Sequence, residues 1–326
     1  MIKQLVIENF LSFQKRQEIN LQPLTVVIGA NNSGKSNLIS AFRFLAFSRK
    51  MTHQNLIENE FGRSIESFYN RLSNSGFKLC VKNETGELTI TQSLKSRDES
   101  FKGATDDRTL ISELLRIRYF KFSTEILKKP SAIAPHPTLG QDGSELASVL
   151  DYLRGEHPEI YEKIENDFKQ FVPEIERIQL RTVAQNKKVA LLKQKAFKEP
   201  FPANEISDGL LLFLAMLCCV NTQPAPSLIC LDEPDNGIHP RQLRELLDQL
   251  RSLTERKENP VQILMTTHSP YMLDWFKDDL ESVLILDRKE EGTIVKTAKE
   301  ALGPDGLKGS PLGDIWYSGQ IGGVPA

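Results

Sequence analysis

The apolar positions of the chain follow two periods, and the dominant one changes along its length. Ile2 to Asn9 alternates apolar and polar residues, with Ile2, Leu5 and Ile7 prominent, and reads as a half-buried strand. Gln17 to Leu21 is suited to pair with it in a hairpin or meander. Leu24 to Ile28 (LTVVI) is a continuous β-branched run of the kind a buried strand needs, and Asn37 to Phe47 then carries apolar residues on one helical face. Ser48 to Ser75 is polar with few helix signals. Phe77 to Lys82 and Glu87 to Leu94 read as strands about a turn at Asn83 to Gly86, and the charged segment Ser96 to Arg108 reads as an exposed loop. Leu114 to Phe122 alternates as a strand, and the proline-rich stretch Lys129 to Pro137 is expected to be irregular.

Two helices follow. Asp142 to Arg154 places Leu146, Val149, Leu150 and Leu153 on one face, and Pro158 to Phe171 tolerates its proline at the first turn. Ile175 to Val183 and Lys187 to Ala196 read as strands. The last third alternates: helix Gly209 to Val220, strand Ser227 to Leu231, helix Arg241 to Leu253, strand Val261 to Thr266, short helix Ser269 to Phe276, strands Ser282 to Leu286 and Thr293 to Thr297. Such alternation predicts an α/β fold with a mainly parallel core sheet and helices on both faces. No internal repeat and no sustained heptad array is visible.

Composition narrows the class. The chain has 326 residues, enough for one large domain or two smaller ones. A hydrophobic content of 40% and a charged content of 26% are those of an ordinary globular protein. A net charge of −2 and a pI of about 6.3 exclude a globally basic nucleic-acid binder but leave room for a local basic groove. MIKQLVIENF is not expected to be a signal peptide, because its apolar stretch is short and interrupted by Gln4 and Glu8. No apolar run has the length needed to cross a bilayer, and the longest, Gly209 to Val220, reads as a core helix. Cys80, Cys218, Cys219 and Cys230 form no C-x-x-C pair, so packing is their expected role and a reducing, cytoplasmic setting the expected one.

The chemistry is concentrated at strand ends. Residues 29–36, GANNSGKS, fit G-x-x-x-x-G-K-[ST] at every fixed position, between an expected strand and an expected helix. Backbone N–H groups and the helix dipole there can hold nucleotide phosphates. Lys35 would reach the β- and γ-phosphates and Ser36 would hold Mg²⁺. Ser227 to Pro234, SLICLDEP, ends an apolar strand in two carboxylates, which permits divided labour: Asp232 supports Mg²⁺ and Glu233 polarises an attacking water. The plainer alternative is a strand that ends in an acidic turn. VQILMTTHSP at Val261 to Pro270 ends another strand in Thr266, Thr267 and His268, and the histidine could donate to a γ-phosphate. EISDGL at Glu205 to Leu210 places Ser207 and Gly209 at a helix start, where they serve either as an ordinary cap or as an anion site.

With these residues in place the chain resembles an ABC-type ATPase of the SMC/RecF-like branch, close to the small AAA ATPases related to the OLD family. Residues 29–36 match its Walker A loop, 205–210 its degenerate signature motif, 228–234 Walker B, Asp235 to His239 the D-loop region and His268 the switch histidine. The opening IKQLVIENFLSF, the segment GQDGSELASVL at 140–150 and, more weakly, the ending GDIWYSGQIGGVP are similar to the corresponding parts of these ATPases, so the likeness covers nearly the whole chain. It implies one ATPase head, with an N-terminal lobe over 1–140, a Q-loop, helical lobe and signature motif over 141–220, and a C-terminal lobe over 221–326. It also implies an antiparallel β subdomain. ATP would be held by Gly29, Asn31, Asn32, Ser33, Gly34, Lys35, Ser36 and Asn37, with Mg²⁺ at Ser36, Asp232 and Gln141. Catalysis would fall to Glu233, His268 and Lys35. Two copies, or a higher oligomer, would sandwich two nucleotides, Ser207 and Gly209 acting in trans, while Gln141 couples the site to the helical lobe.

The departures from that family pattern shape the expected biology. No coiled coil interrupts Ser48 to Asn204, too few residues follow His268 for a Toprim nuclease, and no membrane domain is fused. The expectation is an ATPase that controls nucleic-acid processing, or a separately encoded nuclease or toxin, with antiphage defence as a setting. A non-catalytic ATP-dependent scaffold and a transporter subunit are the competing readings. Lys187, Lys188, Lys193, Lys195 and Lys198, with Arg241, Arg244, Arg251, Arg256 and Lys257, are either solvated faces or a DNA-tracking groove.

Overall fold

A computed structural model of the chain describes residues 1–48, 76–92, 99–103, 108–183, 186–221, 224–236, 238, 240–257, 260–307 and 309–324. Nearly all of the polar segment that begins at Ser48 lies outside the described residues, as do Ser93 and Leu94 of the second expected hairpin strand. The chain forms two compact units. The first comprises Met1–Tyr119, Ser227–Leu231 and Thr254–Ala326, and the second Phe120–Pro226 and Asp232–Leu253.

The first unit opens with β1 (Gln4–Glu8), β2 (Gln17–Asn20), β3 (Leu24–Gly29), α1 (Lys35–Phe47), β4 (Phe77–Lys82), β5 (Glu87–Gln92), β6 (Glu99–Gly103), α2 (Arg108–Leu115) and β7 (Ile117–Phe120). The second unit contributes α3 (Thr124–Leu127), β8 (Ser131–Ala132), α4 (Leu146–Glu156), α5 (Pro158–Phe171), β9 (Ile175–Val183), β10 (Lys187–Gln194), β11 (Phe201–Pro202) and α6 (Asp208–Asn221). Next come β12 (Leu228–Leu231) in the first unit, then α7 (Pro240–Thr254), almost wholly in the second. The first unit closes with β13 (Gln262–Thr266), α8 (Pro270–Leu273), β14 (Val283–Lys289), β15 (Gly292–Thr297), α9 (Ala298–Leu302) and α10 (Leu312–Tyr317).

One sheet of the first unit has the order β2-β1-β4-β5-β6 and is antiparallel throughout. The other has the order β15-β14-β3-β13-β12-β7. In it β14, β3, β13 and β12 run parallel and β15 pairs antiparallel to β14. Central strands of a parallel sheet are covered on both faces, and all six residues of β3 are buried. Helix α1 buries Leu38, Ile39, Ala41, Phe42, Phe44, Leu45 and Ala46. Its Phe44 meets Phe10 and Phe77 edge-on, with ring centroids 5.8 and 5.1 Å away, and Phe10 meets Phe77 at 5.3 Å. The edge-to-face arrangement sets positive ring rims against negative ring faces.

The second unit is organised around α6, which is apolar on every side and buries every residue from Leu211 to Asn221. Phe213 lies against Phe168 and Phe171 of α5, with centroid separations of 6.0 and 4.1 Å. The expected apolar face of α4 is in place, with Leu146, Val149, Leu150 and Leu153 all buried. The Tyr161 hydroxyl donates to the Ile178 carbonyl at 2.7 Å, and burial pushes its pKa up to about 12. All four cysteines are buried, and none is in a disulfide. Burial raises the Cys218 thiol to about 12 and pushes Cys230 up as well, which fits packing rather than reactive roles.

Three expectations need correction. Residues 99–103 of the supposed loop form β6, paired with β5 over Leu88↔Gly103 to Gln92↔Glu99. An outermost strand needs only one buried neighbour, so charge along it does not prevent pairing. Arg108–Leu115 is helical, so α2 occupies the start of the supposed strand at Leu114. Helix α4 begins at Leu146 rather than Asp142, because Asp142 Oδ1 accepts from Ser144 N–H in a local turn and Gly143 adopts φ +85°.

The Phe10–Phe44–Phe77 cluster yields a stability prediction. Phe44→Ala removes the ring shared by both neighbours and is expected to cost about 3–5 kcal/mol in urea unfolding.

Candidate functional site

The C-terminal ends of β3, β13 and β14 lie at one edge of the parallel sheet. Val27 is opposite Thr266, and Gly29 is opposite Leu286. The loop from Gly29 to Gly34 leaves β3 at that edge and enters α1 at Lys35, as the sequence predicts. Its shape depends on two glycines. A Cβ on Gly29 (φ +156°) would sit 2.4 Å from Ser33 Oγ and 2.5 Å from the Leu286 carbonyl oxygen. A Cβ on Gly34 (φ +115°) would sit 2.5 Å from Thr293 Oγ1 and 2.7 Å from Ser12 Oγ. Neither space admits another side chain.

Two residues that the motif does not contain brace the loop from behind. Thr293 Oγ1 lies 2.7 Å from the Ser33 carbonyl oxygen and 2.8 Å from Ser12 Oγ. Thr293 N–H donates to the Ser12 carbonyl at 2.7 Å. Ser12 is presented by a tight turn in which Phe10 and Phe13 exchange backbone hydrogen bonds and Leu11 takes φ +52°. Within the loop Ser33 N–H donates to the Ala30 carbonyl at 3.1 Å. Lys35, 7% exposed, donates to the carbonyls of Gly29 at 2.7 Å and Ala30 at 3.1 Å. Ser33 Oγ is buried with no hydrogen-bond partner among the described residues. An orphaned hydroxyl, backbone N–H groups and a helix N-terminus on a glycine-shaped loop fit a bound phosphate chain. Ser36 and Asn37 occupy the first turn of α1, and Asn31 and Asn32 lie in the loop, with Asn32 at φ +64°.

His268 follows β13 by two residues. Thr266 and Thr267 are fully buried, Thr267 N–H donates to the Val27 carbonyl at 3.1 Å, and His268 itself is exposed.

The second unit holds the other expected site residues. Asp232, 7% exposed, directly follows β12 in the chain, and its N–H donates to the Phe120 carbonyl at 2.9 Å. Its Oδ2 accepts from Lys121 Nζ at 3.0 Å. That hydrogen bond is the main reason the Lys121 ammonium is held above its ordinary pKa. Lys121 N–H in turn donates to the Gln141 carbonyl at 2.8 Å. A short backbone ladder thus ties Gln141 to Asp232. Asp232 is an acidic oxygen donor suited to Mg²⁺, but among the described residues no group of three or more His, Cys, Asp or Glu side chains forms a ready metal site. Glu233 adopts φ +51° at the start of a turn closed by Asn236 N–H on its carbonyl. A non-glycine residue held there costs about 1–3 kcal/mol, and such strain clusters at active sites. Ser207 receives the first helical hydrogen bond of α6 from Leu211 N–H, and Gly209 is the second residue of that helix. Asp208 between them pairs with Lys128 at 2.5 Å. Gly237 and His239 of the expected D-loop lie outside the described residues.

Lys121, Ser12 and Thr293 are site elements that the motifs do not contain. Ser12 alone of the three carries a sequence signal, through the opening IENFLSF; the other two become visible only through long-range pairing.

Residues 24–274 match the family model described as "AAA domain, putative AbiEii toxin, Type IV TA system". The chain belongs to this AAA-domain family. It is 24% identical to an "ATP/GTP phosphatase" of Helicobacter pylori, over 84% of this chain and 87% of that protein. Among solved structures it is similar to an SMC head bound to the C-terminal winged-helix domain of ScpA. That likeness has a TM-score of 0.60 at 13% identity and covers 92% of this chain and 99% of the other. It is also similar to the SMC head domain of Thermotoga maritima, with a TM-score of 0.54 at 13% identity, covering 91% and 98% of the two chains. The fold is therefore that of an SMC-type head, an ABC-type P-loop ATPase fold, and the expected family and fold class both stand.

The Lys121–Asp232 pair is half open to water on the lysine side, which limits its worth. Lys121→Gln is expected to destabilise the chain by about 1 kcal/mol, measured by urea unfolding.

Proposed function

We propose that the chain is an ATPase whose hydrolytic site is completed by a second copy of itself. The observation that carries this reading is the braced, glycine-shaped loop from Gly29 to Gly34, with its buried, unpartnered Ser33 Oγ and with Lys35 at its back. In this reading the loop amides and Lys35 hold the β- and γ-phosphates. Lys35 exchanges its bonds to the Gly29 and Ala30 carbonyls for phosphate oxygens. Ser36 and Asp232 would hold Mg²⁺, with Gln141 as the third candidate ligand, and the ion would neutralise phosphate charge. Glu233 orients a water for attack on the γ-phosphorus and accepts its proton at a carboxylate oxygen, while His268 donates to the γ-phosphate as charge develops there. The products are ADP and inorganic phosphate. The strained backbone at Glu233 favours this active reading over a non-catalytic scaffold.

The fold's likeness to SMC heads supports head-to-tail pairing, in which Ser207 and Gly209 of the second copy close over the nucleotide. The family description, with its reference to a toxin–antitoxin system, supports a role in controlling a separate effector. Support for a DNA-tracking groove over residues 187–198 is weaker, because three of the five lysines there are engaged within the protein. Lys188 pairs with Asp151, Lys193 with Glu176, and Lys195 donates to the Pro173 carbonyl. Among the described residues no helix is long and apolar enough to cross a membrane.

Two substitutions test the assignment. Glu233→Gln is expected to slow steady-state phosphate release by about 10²–10⁴-fold while ATP still binds and a species of twice the mass accumulates in sedimentation with ATP and Mg²⁺. Hydrolysis at the wild-type rate would remove Glu233 from the mechanism. Lys35→Ala is expected to weaken ATP binding, read by titration with a fluorescent ATP analogue.

A further inference from the structure

The last described segment of the chain runs from α10 to Val324 and makes two close contacts with parts of the site that are far apart in sequence. The first is with the segment that follows His268. Gly313 in α10 lies so close to α8 that a Cβ on it would sit 2.4 Å from the Pro270 carbonyl oxygen, and its N–H donates to Asp274 Oδ1 at 2.9 Å. Pro270 is two residues from His268.

The second contact is with the phosphate loop. Beyond α10 the chain turns through Gly319 to Gly323 and lies back along β14. Gly323 N–H donates to Asp287 Oδ1 at 2.6 Å, and the Gly323 carbonyl accepts from Trp316 Nε1 at 3.2 Å. A Cβ on Gly323 would lie 2.9 Å from Ile285 Cγ2 and 3.4 Å from Gly29 Cα. Asp287 follows Leu286, the β14 residue opposite Gly29. Trp316 is 6% exposed and Ile321 7%, so the segment is seated rather than draped.

We propose that residues 312–323 are a strut that holds the phosphate loop and the His268 segment at a fixed separation. Asp287, Trp316 and Gly323 are then positioning residues for the nucleotide, although none lies in a nucleotide-binding motif. The proposal rests on the ATPase reading for its functional meaning, but the strut itself is a property of the chain without nucleotide. A Cβ on Gly323 would already be in van der Waals contact with Gly29 Cα, and at the opposite end Gly313 is packed against the Pro270 carbonyl. A shift at one end is therefore passed to the other through α10, which joins them. Displacements of about 1 Å at a site are enough to change turnover by about a hundredfold.

The test uses the full chain and two readouts. Hydrogen–deuterium exchange is followed without nucleotide in peptides covering 29–34, 267–274 and, as a remote control, the β9–β10 hairpin. Binding of the fluorescent analogue mant-ATP is measured in parallel. Asp287→Ala, which removes the acceptor for Gly323, is expected to speed exchange about tenfold in both site segments and leave the hairpin unchanged. It is also expected to weaken mant-ATP binding about tenfold. Asp287→Asn, which keeps an acceptor oxygen, should restore both, and Trp316→Phe should give a smaller effect of the same pattern. The proposal is overturned if Asp287→Ala speeds exchange only in residues 319–324, or equally across the chain including the hairpin. It is also overturned if mant-ATP binds the variant as tightly as it binds the wild type. If the wild type itself fails to bind mant-ATP, the ATPase reading falls, while the exchange data still decide whether the strut exists.

Discussion

At the end of β3 the backbone of Gly29 has a carbonyl oxygen of β14 on one side and the Ser33 hydroxyl on the other, with no room for a side chain between them. That close approach constrains everything around it. A parallel strand ending here must turn sharply, and the turn survives only because β14 is in register beside it and because Thr293 and Ser12 hold the Ser33 and Gly34 side. The antiparallel strand β15 therefore does more than terminate the sheet: its second residue, Thr293, is part of the loop's support. The N-terminal turn at Leu11 is strained by about 1–2 kcal/mol to deliver Ser12, an expense tolerable only where a packed aromatic cluster fixes Phe10.

The second unit meets a different requirement, the burial of a carboxylate. Asp232 is nearly inaccessible, and a buried charge is costly unless paired and hydrogen-bonded. Lys121 supplies the charge, and the Phe120 carbonyl fixes the backbone. Because Lys121 is also tied through its N–H to Gln141, the same few residues that neutralise the acid set the position of the loop before α4. The turn Glu233–Asn236 then departs with Glu233 in a left-handed conformation and is closed by Asn236 N–H on the Glu233 carbonyl.

Much of this was legible in the sequence because it is local. β3, α1, β4, α5 and β9 follow from apolar periodicity and from turn chemistry within a few residues, and Pro158 marks the start of α5 directly. The phosphate loop is legible for the same reason, as its spacing is a backbone requirement written in glycines. What was not legible depends on partners far away in the chain. β6 looks like loop until β5 offers it an edge, and α2 looks like the start of a strand until its apolar residues Leu110 and Leu114 turn to the core. Lys121 and Asp232 are 111 positions apart, and no spacing rule links them. Thr293 and Ser33 are 260 apart.

The turn joining β14 to β15 is exposed at Glu290 and Glu291 and would ordinarily be a natural place to graft an epitope or a reporter dye. Its Gly292, however, lies against the Ser12 carbonyl and the Gln14 amide, where a Cβ would approach to 2.7 and 2.9 Å. Thr293 comes immediately after. Cargo inserted at this turn would pull on the rivet behind the phosphate loop, so its outward appearance as spare surface is misleading for protein engineering.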